Sequence, residues 1–153
     1  MPDFFDDLEI RIFWQLLLAV LLGAVLGMER EASGRAAGIR TYALVALGAA
    51  LFTIMGAEVF HTYTGASGLS FDPSRIVHAI AVGVGFLGAG IIIYRDSRVE
   101  GVTTAAGVWR AGAIGMTLGF EFYGTAILAT LFAFLVLSWM HPLKRLFRGK
   151  EME

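Results

Sequence analysis

Long apolar stretches separated by short polar segments run through most of the chain. Three of them cover residues 12–28, 41–60 and 76–94, and the first contains a single polar side chain, that of Gln15. Crossing the hydrocarbon core of a bilayer takes roughly 20 consecutive helical residues. Each of these stretches is therefore predicted to form one transmembrane helix.

A further apolar block runs from residue 101 almost to residue 140, which is too long for one span. The segment 119–124, Gly-Phe-Glu-Phe-Tyr-Gly, interrupts this block with a charged residue between two glycines. We therefore predict two more helices, over 103–119 and 123–140. The whole pattern predicts an all-α membrane protein with five transmembrane helices.

The composition agrees with a lipid environment. Hydrophobic residues make up 57% of the 153 residues, charged residues make up 16%, and the mean hydropathy is +0.71. An ordinary globular domain is nearer roughly 45–50% apolar and about 25% charged. The formal net charge of −1 gives no reason to expect a nucleic-acid partner. The absence of cysteine excludes disulfide bonds and thiolate metal ligands.

Lysine and arginine are distributed unevenly between the two sides that five spans would create. Because basic loops stay in the cytoplasm, we expect the N-terminus outside and the C-terminus inside. The acidic segment 1–11 is then extracytoplasmic rather than a signal peptide, 12–140 is the transmembrane domain, and 141–153 is a basic cytoplasmic tail. The cytoplasmic side holds nine basic residues and the other side two: Arg30, Arg35, Arg40, Arg95, Arg98, Lys144, Arg145, Arg148 and Lys150, against Arg11 and Arg75.

The first and third loops end in similar sequences. Residues 38–41 read Gly-Ile-Arg-Thr and residues 101–104 read Gly-Val-Thr-Thr, and an alanine follows two positions after a threonine in both. The match predicts two related helical hairpins in parallel orientation, followed by a fifth helix. Chance similarity among small residues is the alternative.

Small residues recur at spacings that favour close helix packing. In lipid, such faces let helix backbones approach each other closely. Packing within one bundle is the first interpretation, and a homo-oligomer interface is the second. Residues 83–88 also match the pattern Gly-x-Gly-x-x-Gly, but they lie within an apolar run and lack the preceding strand of a dinucleotide site. The helix-packing candidates are Gly23, Gly27, Gly85, Gly88, Gly107, Ala111 and Gly115.

Glu58 and His61 have the Glu-x-x-His spacing of a di-iron ligand pair. Such a site needs a second pair and two more carboxylates, which the sequence does not supply. We therefore favour an ordinary histidine near the lipid headgroups and expect no resident cofactor.

Arg110 is the charge placed deepest in a predicted span, about seven residues from its start and roughly 10 Å deep. A buried arginine is costly and normally faces a partner or a wet cavity. Glu29 is the preferred partner and Asp96 the second. A structural ion pair and a role in binding are both consistent with this position.

The predicted cytoplasmic end collects several polar residues that could bind an ion. Threonines that start helices, together with arginines, suit a phosphate or a lipid headgroup. Glu29, Asp96 and Glu100 could instead hold a hydrated Mg²⁺. No nucleophile lies beside a base, so we expect no enzyme activity. The binding candidates are Glu29, Arg30, Arg40, Thr41, Asp96, Thr103, Thr104 and Arg110, with Glu29 the metal candidate.

Four groups of these residues resemble successive motifs of the MgtC/SapB family of bacterial membrane proteins. They follow in the family's order across residues 15–140, and the family pattern of five spans with the N-terminus outside agrees with the charge argument. The motifs occupy 27–30, 37–45, 83–90 and 101–106, with Trp109, Ile114 and Gly115.

The resemblance implies a protein of magnesium homeostasis in the bacterial cytoplasmic membrane. Transport or sensing of Mg²⁺ through Glu29 is one expectation, and regulation of another membrane protein, such as the ATP synthase, is the other. Arg110 departs from the small or apolar residue expected at its position. Longer family members carry a soluble C-terminal domain, and we expect its function to be absent from this chain or supplied by another protein.

Overall fold

The computed structural model describes residues 7–63, 72–95 and 97–148, with side chains as far as residue 137. This part of the chain forms a bundle of five helices and one short β-hairpin. The helices are α1 (Asp7–Ala32), α2 (Ile39–Tyr63), α3 (Pro73–Ile91), α4 (Val102–Gly119) and α5 (Tyr123–Arg148), and the strands are β1 (Ile93–Arg95) and β2 (Arg98–Glu100).

The helices follow the predicted apolar stretches closely. The break predicted at residues 119–124 lies where α4 ends and α5 begins. Glu121 in this connection has a φ of 65°, the left-handed conformation that closes a tight turn. Among the described residues, α1, α2 and α3 are long and apolar enough to cross a membrane. α5 extends into the segment that we expected to be a tail.

α3 begins at a proline that is preceded by a capping aspartate. The Asp72 carboxylate accepts a hydrogen bond from the backbone N–H of Ser74 at 3.0 Å, and Pro73 has no N–H that needs a partner. Hydrogen bonds from Ser74 hold the pKa of the Asp72 carboxyl below its ordinary value. These contacts fix the residue at which the helix starts.

The end of the third apolar stretch differs from the prediction. We expected a helix to residue 94, but α3 ends at Ile91 and the next residues form β1, paired antiparallel with β2. Ile93 and Tyr94 are exposed. β-Branched isoleucines favour an extended backbone, and a short apolar run does not by itself distinguish a strand from a helix end.

α4 lies at the centre of the bundle. It contacts α1, α2, α3 and α5, and eleven of its eighteen residues are buried. Its glycines, alanines and threonines suit a helix that is surrounded by other helices rather than by lipid. The predicted span 103–119, which corresponds to α4, is therefore the helix around which the others pack.

The tightest contact in the fold is the α2–α4 seam, where Gly107, Gly115 and Gly119 of α4 pack against α2. A Cβ at Gly115 would overlap the backbone oxygen of Ala46, and one at Gly107 would overlap the hydroxyl of Tyr42. At Gly119 it would lie 2.5 Å from the Cβ of Thr53. The two backbones approach this closely because α4 lacks side chains along this face.

Glycines also bring α1 against α2. A Cβ at Gly23 would lie 2.7 Å from the backbone oxygen of Tyr42, and one at Gly27 would lie 2.6 Å from the Cα of Ile39. Both distances are shorter than real Cβ contacts, so the Gly-x-x-x-Gly pair of α1 lies in a close helix contact within the chain.

Gly85 does not pack as we expected. α3 contacts α4 through Ile80, Val84 and Gly88, which are four residues apart and buried. A Cβ at Gly88 would lie 3.4 Å from the backbone oxygen of Ala105, whereas one at Gly85 would meet no atom within 4 Å. Gly85 is one residue away from the packed face, so it belongs to the outer surface of α3.

The seam predicts opposite effects for two glycine-to-alanine changes. Gly115→Ala drives a methyl group into the backbone of α2 and should destabilise the protein by about 1–3 kcal/mol. Gly85→Ala adds a methyl group in open space and improves helix propensity, so its stability should be unchanged or slightly higher. Thermal unfolding in detergent measures both, and equal stability of the two variants would contradict the described seam.

Candidate functional site

A cavity of about 830 Å³ opens at the end of the bundle that carries the α1–α2 connection and the β-hairpin. We call it the arginine cavity. Its polar lining residues are Arg30, Arg35, Glu100, Thr103 and Thr104. Its apolar lining residues come from α3, the hairpin, α4 and α5 and include Ile91, Ile93, Val99, Val102, Val136 and Leu137.

Arg30 lies in the last turn of α1 and is only 3% exposed. Its Nε donates to the Glu29 carboxylate at 2.5 Å, and the Ser33 hydroxyl donates to the other oxygen of that carboxylate at 3.1 Å. A positive side chain is favourable at a helix C-terminus, where backbone carbonyls concentrate negative charge. The arrangement holds the Arg30 guanidinium at the cavity wall.

Tyr42 connects α2 to the start of α4. It is fully buried, and its hydroxyl donates to the backbone oxygen of Thr104 at 3.3 Å. The phenol fits against Gly107, where a side chain would leave no room for it. The sequence analysis included this residue only as part of a family motif and predicted no role for it. The feature that could have indicated its role is a large phenol among small residues at the start of a helix.

Arg110 lies about two turns into α4, beyond the threonines that line the arginine cavity. Its Nε and Nη2 atoms are buried and have no hydrogen-bond partner among the described residues. Tyr42, Arg30 and Glu29 are close enough to interact with its charge. A buried guanidinium with two unsatisfied nitrogens is costly, which marks this position as one that a negatively charged ligand would stabilise.

The structure changes the expected pairing of Arg110. Glu29 forms its 2.5 Å ion pair with Arg30, and no described ion pair joins it to Arg110. Arg30 lies next to Glu29 in the same helix turn, whereas Arg110 lies deeper in the bundle. The second expected partner, Asp96, lies outside the described residues.

The other predicted binding residues divide into two groups. Thr103 and Thr104 line the arginine cavity, as expected from their position at the start of α4. Arg40 and Thr41 are exposed at the start of α2 and do not line it. Tyr42 contacts the cavity residue Thr104 instead, because it faces α4 in the seam.

The charges of the site suit an anion better than a metal ion. Two arginines, Arg30 and Arg35, line the cavity beside one described carboxylate, that of Glu100. The nearby carboxylate of Glu29 is already engaged by Arg30. Among the described residues, no three acidic or histidine side chains lie close enough to hold a metal. The magnesium site at Glu29 stays a prediction, because a hydrated Mg²⁺ needs only one or two carboxylates.

The opposite end of the bundle holds a second cavity of about 550 Å³. There Arg11 lies 3.5 Å from Glu58 and 3.2 Å from Glu121, which links α1 to α2 and to the α4–α5 connection. His61 also lines this cavity. These side chains are partly exposed, so their ion pairs contribute little stability.

Gln15 lies beneath these charges and is 2% exposed. Its side-chain nitrogen donates to the backbone oxygens of Leu118 at 3.1 Å and Gly119 at 3.4 Å. It thus satisfies carbonyls at the C-terminus of α4 that have no partner within the helix. The sequence marked Gln15 only as a polar residue in an apolar span.

Comparison with known proteins gives one family. A sequence model described as the MgtC family matches residues 16–146. The chain is 40% identical over 129 residues to the "Putative magnesium transporter YhiD" of Escherichia coli K12, and the match covers 84% of this chain and 60% of that protein. No solved structure matches the chain.

Two further relatives have a similar sequence identity to this chain. The chain is 41% identical to "Protein SrpB" of Synechococcus elongatus, over 87% of this chain and 76% of that protein. It is 39% identical to "Protein MgtC" of Brucella abortus, over 88% of this chain and 53% of that protein. The chain thus spans little more than half of the MgtC and YhiD proteins that it matches.

The unsatisfied guanidinium predicts that Arg110 lowers stability when no ligand is bound. Arg110→Met keeps the apolar stem and removes the charge, so it should stabilise the ligand-free protein by about 1 kcal/mol or more. Arg30→Met removes the 2.5 Å ion pair with Glu29 and should destabilise it. Thermal unfolding in detergent compares the two, and a lower midpoint for Arg110→Met would show that Arg110 is already well satisfied.

Proposed function

The chain belongs to the MgtC family, and from this premise we propose that it serves magnesium homeostasis as a regulator in the bacterial cytoplasmic membrane. In this proposal the arginine cavity binds a negatively charged ligand or partner group, and the chain conducts no Mg²⁺ of its own. The observation that carries the proposal is the closed α2–α4 seam between the two cavities.

The seam leaves little space for an ion along the centre of the bundle. The arginine cavity lies at the start of α4 and the second cavity at its end. Between them, Gly107 and Gly115 are so close to α2 that neither could accept a Cβ without displacing an atom. Mg²⁺ gives up its water reluctantly and is held by oxygen ligands, and this seam offers a hydrated ion no room.

The proposed topology has five spans, with the N-terminus outside and the arginine cavity on the cytoplasmic side. It is supported by the apolar helices and by the excess of lysine and arginine in the loops at the cavity end. A C-terminal reporter that is active only in the cytoplasm checks this orientation, and activity confined to a periplasmic reporter would contradict it.

A regulator also needs a surface toward its neighbour in the membrane. The outer face of α3 carries Gly83 and Gly90, where an added Cβ would meet no atom of the described chain, with the strongly exposed Phe86 between them. A neighbouring transmembrane helix, from a second copy or another membrane protein, would pack closely there.

Transport is the alternative function, because one relative is named a putative magnesium transporter. In this alternative Glu29 faces the ion, although its carboxylate is held by Arg30 and Ser33. The two functions make opposite predictions for the purified protein.

We expect proteoliposomes that contain the purified protein to take up no more ²⁸Mg²⁺ than empty vesicles. A reconstituted magnesium channel provides the positive control, and a cooperative unfolding transition shows that the protein is folded. Saturable uptake that Glu29→Gln removes would contradict the proposal and would make the chain a transporter.

A further inference from the structure

We propose that the arginine cavity binds a phosphate group, carried either by an anionic phospholipid or by a soluble phosphate. The inference rests on the proposed function, in which this cavity binds a negatively charged ligand, and it names the chemical class of that ligand.

The first argument is the number and placement of guanidinium groups. Arg30 is buried and lines the cavity, and Arg35 lines it as well. Arg110 lies further along α4, close enough to interact with Arg30, and two of its buried nitrogens have no hydrogen-bond partner among the described residues. The planar fork of a guanidinium matches two phosphate oxygens at once. A carboxylate offers only two oxygens, whereas a phosphate group can engage donors from several sides of the cavity.

The start of α4 adds donors to the same wall. Its N-cap residue is Gly101, so no side chain occupies the first backbone N–H groups of the helix. Thr103 and Thr104 follow directly and line the cavity. A helix N-terminus attracts negative charge, and here it points toward a cavity that already contains two arginines.

The apolar lining residues favour a phospholipid as the source of the phosphate. Ile91, Val102, Val136 and Leu137 come from three different helices and line the same cavity as the arginines. An inorganic phosphate ion would leave most of the 830 Å³ unfilled. The hairpin adds Arg95 directly opposite Arg98 beside the cavity wall, where anionic headgroups would strengthen binding.

The test measures the thermal unfolding midpoint of the whole chain in dodecyl maltoside, which contains no phosphate. One series adds phosphatidylglycerol and the other adds inorganic phosphate. We expect a saturable rise with phosphatidylglycerol, and Arg35→Gln should require about tenfold more lipid for the same rise. Arg75→Gln is the matched control, because Arg75 is exposed at the opposite end of the bundle. Thr103→Val provides a second, milder change in the lining of the arginine cavity.

A rise with phosphatidylglycerol that Arg35→Gln and Thr103→Val weaken would identify a lipid phosphate as the ligand. The same pattern with inorganic phosphate would identify a soluble phosphate. No saturable rise in either series, or equal rises in the Arg35→Gln and Arg75→Gln variants, would overturn the proposal. Magnesium uptake by protein that still binds phosphate would refute the regulator function alone, so the two failures are distinguishable.

Discussion

The backbones of α2 and α4 approach each other closely at the centre of the helix bundle. This close approach exists because Gly107, Gly115 and Gly119 carry no side chain where the backbone and side chains of α2 lie against them. In lipid, helices are held together by packing and hydrogen bonds rather than by the hydrophobic effect. A face of α4 without side chains therefore contributes more than a face of leucines would. α1, α3 and α5 then pack around the pair.

The polar residues follow from this central position of α4. Each end of the helix leaves backbone groups without partners inside the helix. Gln15 satisfies carbonyls at its C-terminus, while its N-terminus begins at Gly101 beside the arginine cavity. Arg110 is partly buried, with its Nε and Nη2 atoms inside the protein, because most of the helix that carries it is buried. One end of α4 is thus closed by protein contacts, and the other has unsatisfied donors that face a cavity.

Much of the fold was predictable from the sequence, since the apolar stretches and the break before Tyr123 define five helices. The position of Arg110 inside a helix was predictable for the same reason. Its interactions were not predictable, because residue spacing does not reveal that the expected partner, Glu29, is already paired with Arg30. The hairpin was missed because three isoleucines in a row suit a strand as well as a helix end. Gly85 lies off the face of α3 that meets α4, which its pattern does not show, so its role in helix packing stays a prediction.

We propose that the arginine cavity, rather than a path through the bundle, is the working site of this protein. Growth in low magnesium tests this in a bacterium that lacks its own MgtC-family protein and carries this chain or a variant. We expect Arg75→Gln to support growth as well as the unchanged chain, whereas Arg35→Gln should not, at equal amounts of protein in the membrane. Full growth with Arg35→Gln would show that the cavity is not required.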